Sequence, residues 1–87
     1  MGLFSKKKEK SIDITRKCKE IYKDINKIMQ NANGEGDIEI RLSLLRLASA
    51  KYEDILSLIK QGADLDAAHF ESLKKNVNRE IELYKEL

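Results

Sequence analysis

Two glycine-marked breaks, Asn33-Gly34-Glu35-Gly36-Asp37 and Gln61-Gly62-Ala63-Asp64, cut one helical pattern into three stretches, and no proline interrupts any of them. A chain of 87 residues committed to three long helices has little length left for a loop-built pocket. What it can present is helix surface, and helix surfaces bind other surfaces.

The first stretch repeats Ile14, Cys18, Ile21, Ile25, Ile28 and Ala32 at alternating steps of four and three, with Tyr22 and Met29 beside them. That spacing lays an apolar seam along one side of a helix. Isoleucine is only a middling helix former, so packing of the seam must hold this helix. Ser11 or Asp13 supplies a capping oxygen at its start. Gly34 is expected as a left-handed residue after its last turn.

Behind Asp37 as cap, the second stretch carries Ile38, Leu42, Leu45, Ala48, Tyr52, Leu56 and Ile59, widened by Leu44 and Ile55. This seam covers roughly 160° of the helix, and Ile40, Leu47 and Leu58 fall outside it, aligned within roughly 20° of one another. The third stretch follows Asp64 or Asp66 and repeats Phe70, Leu73, Val77, Ile81 and Tyr84. Helices are therefore predicted at about 12–32, 38–61 and 65–86 of one domain (11–87), after a flexible basic tail over 1–10.

Short connections force neighbouring helices antiparallel. The expected fold is all-α, an up-down-up three-helix bundle. The alternative is a helical hairpin that completes its core only as a homodimer, since a helix apolar beyond one face is central or shared.

Charge separates along the chain. Nine basic and four acidic residues lie up to Lys27, eight and eleven beyond it, within a net charge of +2. A basic first third on an acidic body is a dipolar molecule. No apolar run approaches the ~20 residues of a membrane span, and the lysines of the start lead into charge, not into a signal-peptide core. One cysteine makes no internal disulfide. These features point to a cytoplasmic protein. The heavy use of Lys, Ile and Asn suits an AT-rich genome, a low-GC bacterium or its phage.

Residues that could carry chemistry do not assemble. Asn31 to Leu42 resembles a calcium loop, with oxygen-bearing side chains at positions one, three and five and glycine at six. Position twelve, which should supply a bidentate glutamate, is Leu42, a seam residue. Cys18 sits inside the first seam and reads as a buried thiol. The single histidine, His69, lies on another helix, and one Cys with one His makes no structural zinc site. No catalytic residue, metal ligand or cofactor site is expected, and the chain reads as a non-enzyme.

Two features remain for function. Lys19, Lys23 and Lys27 stack at steps of four with Arg16 adjoining, like charges that oppose the helix and are offset in part by Glu20 and Asp24 on a neighbouring ridge. The row reads as a solvated face or as one that meets an anionic counterpart. Met1 to Lys8 sets Leu3 and Phe4 beside Lys6, Lys7 and Lys8, a pattern suited to transient contact with an anionic membrane. The favoured reading is a small helical protein-interaction module, a regulator, inhibitor or adaptor. Ile40, Leu47 and Leu58 would be its apolar contacts, and Arg16, Lys19, Lys23 and Lys27 would steer an acidic partner. The second reading is a membrane-peripheral accessory protein of the immunity type, held at the inner membrane face by the basic N-terminus. A nucleic-acid accessory ranks third, because no aromatic set interleaves the cations.

Overall fold

The computed structural model describes the backbone of residues 2–86 and the side chains of residues 12–86. Three helices follow one another: α1 (Gly2–Gly34), α2 (Ile38–Lys60) and α3 (Ala67–Lys85). No strand occurs among the described residues. The fold is the expected all-α three-helix arrangement, with α2 packed against both α1 and α3. Between α1 and α3 no such backbone packing occurs. Side chains close that side, with the Tyr22 and Phe70 rings edge to face at 5.5 Å.

The first helix starts about ten residues before the predicted boundary, and Ser11 and Asp13 lie within it rather than capping it. Lys, Glu and Leu are good helix formers, and nothing from Leu3 to Lys10 is a helix breaker, so the backbone continues through the capping signal. A helix of 33 residues rises about 50 Å and projects past its shorter neighbours. The molecule accordingly measures 58 × 19 × 14 Å, with a radius of gyration of 15.6 Å. A compact chain of this length would have about 12 Å.

Each turn has its own chemistry. Asp37 caps α2 as expected, its Oδ1 accepting from the N–H groups of Glu39 (2.9 Å) and Ile40 (3.4 Å). Asp66, not Asp64, caps α3, accepting from Ala68 N–H at 3.0 Å. At the end of α2, Gly62 N–H bonds Ile59 O and Ala63 N–H bonds Leu58 O, both at 3.1 Å. That pair of bonds is a Schellman motif, and Gly62 has the positive φ it demands, +123°.

Gly34 does not adopt the left-handed conformation expected of it. The last carbonyls of α1 find another donor: Arg41 Nε bonds Ala32 O at 2.8 Å and Arg41 Nη2 bonds Asn33 O at 3.1 Å. With those acceptors satisfied from α2, a reversed glycine is unnecessary. The third nitrogen, Nη1, donates to Tyr84 Oη on α3 at 2.6 Å, with the guanidinium 5.2 Å from the Tyr84 ring centre. One side chain thus ties all three helices together at this end.

The core runs between the helices. Cys18, Ile25 and Ala32 come from α1, Leu45, Ala48, Tyr52 and Ile55 from α2, and Phe70, Val77 and Ile81 from α3. Ala63 closes it at the turn. Every seam predicted for the three helices supplies part of this cluster or packs against it, apart from the exposed Ile38 at the first turn of α2.

Candidate interaction surfaces

Because α1 turns Cys18, Ile25 and Ala32 inward, its opposite side faces solvent. Arg16, Lys19, Lys23 and Lys27 are all exposed there, within about 80° of one another. Asn26 and Gln30 border them, and no acidic residue falls inside that arc between Ile12 and Gln30. Glu20 and Asp24 lie along its edge. Among the described residues, none of the four cationic side chains has an ion-pair or hydrogen-bond partner in the chain. The face is therefore an uncompensated row of cations, each about 6 Å further along the axis for Lys19, Lys23 and Lys27.

On α2 the structure divides the predicted stripe. Ile40 and Leu47 are exposed, at 48% and 46% of their full area. Leu58 is half-buried against the core and presents less open area than they do. The reason is the Schellman turn, which brings Ala63 back over the last turn of α2 and characteristically packs this residue pair. Ile12 and Leu83 are also exposed, isolated on α1 and α3.

Leu3, Phe4, Lys6, Lys7 and Lys8 lie on the helical start of α1, outside the residues whose side chains are described. Among the described residues no helix is long and apolar enough to cross a membrane.

Titratable groups with shifted pKa values belong to the packing. Burial raises the Cys18 thiol, whose Sγ approaches the Ile55 carbonyl at 4.0 Å. Burial, with Tyr22 nearby, raises Tyr52. The hydrogen bond from Lys74, 2.6 Å long, lowers Glu53. That ion pair links α2 to α3 across a shallow open groove lined by Leu56, Ser57 and Lys60. Cys18 is buried and His69, stacked edge-on against Phe70, is exposed on α3. No group of three or more His, Cys, Asp or Glu side chains among the described residues could hold a metal ion.

Sequence reasoning missed Arg41 as a structural residue. Its signal was available, since a lone arginine one turn into a helix follows a break with uncapped carbonyls before it. No protein-family model, curated protein or solved structure matches the chain.

Proposed function

We propose that this chain is a non-catalytic helical interaction module, a regulator, inhibitor or adaptor that recognises a protein partner with an acidic surface. The observation that carries the reading is the outward face of α1, where Arg16, Lys19, Lys23 and Lys27 stand exposed with no ion-pair partner among the described residues. Like charges at steps of four destabilise their own helix by a few tenths of a kcal/mol per pair, and an anionic surface meeting the row would relieve that cost. Such charges accelerate encounter and set specificity more than they add affinity. Ile40 and Leu47 offer apolar contact on α2.

The test compares the chain with its Lys19→Glu/Lys23→Glu variant as baits in lysate of the source cells. Duplex DNA and anionic phospholipid vesicles are presented to both separately. The expected result is a protein retained by the unchanged chain, released by added salt, and bound at least about tenfold more weakly after reversal. Vesicle or DNA binding that follows the same reversal, with no protein following it, would overturn the reading.

A further inference from the structure

Ile40, Leu44, Leu47, Lys51, Asp54 and Leu58 recur along α2 at steps of four, three, four, three and four. They occupy about 80° of its circumference, on the side away from the contacts of Ser49 with Asn78 and of Glu53 with Lys74 that mark where α3 packs. This is a second heptad seam on the helix, sharing only Leu44 with the buried one. Leu44 and Leu58 are half-covered at its edges, while Ile40 and Leu47 remain open. Two of its six positions are charged, and neither Lys51 nor Asp54 has an ion-pair partner among the described residues.

We infer that a second copy of this chain covers this seam, the two α2 helices packing antiparallel about a twofold axis with Lys51 of each facing Asp54 of the other. The charges select the occupant. In an antiparallel pair of identical helices, the register that sets Lys51 opposite Asp54 also sets Leu47 opposite Leu58, twice each by symmetry. Shifting the copies by one heptad puts Lys51 on Leu47 and Asp54 on Leu44, leaving four charges against leucine without a partner. A charged position in such a seam costs stability and specifies register. From Leu47 to Leu58 this seam is complementary to itself, while Ile40 falls opposite position 65, past the end of the other copy's α2.

Surface area agrees. The chain exposes 6463 Å², where a compact monomer of its mass would expose about 5,200 Å². The surplus of roughly 1,200 Å² follows from the elongated shape, and it leaves room for an interface of standard size. A standard interface takes about 800 Å² from each partner. Dimerisation through α2 also leaves the cationic face of α1 outside the contact.

The inference rests on the interaction-module reading and deepens it by assigning the α2 contacts to a second copy and leaving the cations of α1 to the acidic partner, and the two can fail separately. Sedimentation analysis of the full chain should show a dimer at about 10–100 µM. Lys51→Glu and Asp54→Lys should each weaken it at least about tenfold by placing like charges opposite, with helical circular dichroism unchanged. Mixing the two variants should restore dimers, because every reversed site then meets an opposite charge on the other copy. A monomeric wild type, a dimer indifferent to both reversals, or a mixture that stays monomeric would overturn the proposal. A monomer that still captured its partner through α1 would leave the interaction-module reading standing.

Discussion

Two seams of the same spacing run along α2 and meet opposite fates. The inner one places Leu45, Ala48 and Ile55 at 0–1% exposure, gripped by α1 on one side and α3 on the other. The outer one leaves Ile40 and Leu47 almost half exposed. Periodicity alone does not distinguish them; the number of helices available to cover them does. Three helices can bury one broad face of the central member, and the described residues form no fourth.

The sharpest way to break that comparison is to truncate one residue on each seam. Ile55→Ala should cost about 2–5 kcal/mol of unfolding free energy, from lost burial and an unfilled cavity between α1 and α2. Leu47→Ala should cost within about 0.5 kcal/mol in the monomer, while loosening self-association. Urea denaturation at low protein concentration measures both. Equal losses would mean that the outer seam belongs to the core after all.

Arg41→Ala ranks next, expected to cost about 2 kcal/mol because it leaves the Ala32 and Asn33 carbonyls and the Tyr84 hydroxyl without their donor. Arg41→Lys should recover little of this, since one ammonium cannot reproduce three bonds from a planar fork. Amide hydrogen exchange should show the end of α1 opening first. Unchanged exchange there would show that water replaces the guanidinium without loss.

The smallest expected effect concerns pH. Cys18 and Tyr52 have pKa values raised in the folded chain, so the unfolded chain loses these protons first as pH rises. Stability should therefore hold below the ordinary thiol pKa of about 8.5 and decline above it. Cys18→Ala should remove the thiol's share of the decline, leaving that of Tyr52 at higher pH. A stability curve rising over that range would contradict the burial of both.

Most of the core was legible in sequence because burial follows the helical repeat. Ile25, Leu45, Ile55, Val77 and Ile81 are periodic and apolar, and nothing in their neighbourhood competes. The cap at Asp37 was legible for the same local reason, a carboxylate one residue before a helix, and that of α3 was legible only as a choice between Asp64 and Asp66. The start of α1 was not, since Ser11 can cap a helix or continue one, and the preceding lysines and leucine favour continuation. The cationic face was half legible. The spacing of Lys19, Lys23 and Lys27 was plain, but whether acids elsewhere would fold over to neutralise it was not.

Local chemistry thus determined that there are three helices, their inward faces and the cap at Asp37, because those depend on residues within a turn or two. Tertiary structure alone decided three things. Arg41 reaches carbonyls nine and eight positions back in the chain and so spares Gly34 a left-handed turn. Leu58 packs against the buried core while Leu47, on the same line, stays open. The cations of α1 end on the side that no other helix approaches. Each outcome depends on which surfaces remain after the helices have packed, and that remainder is a property of the assembled bundle.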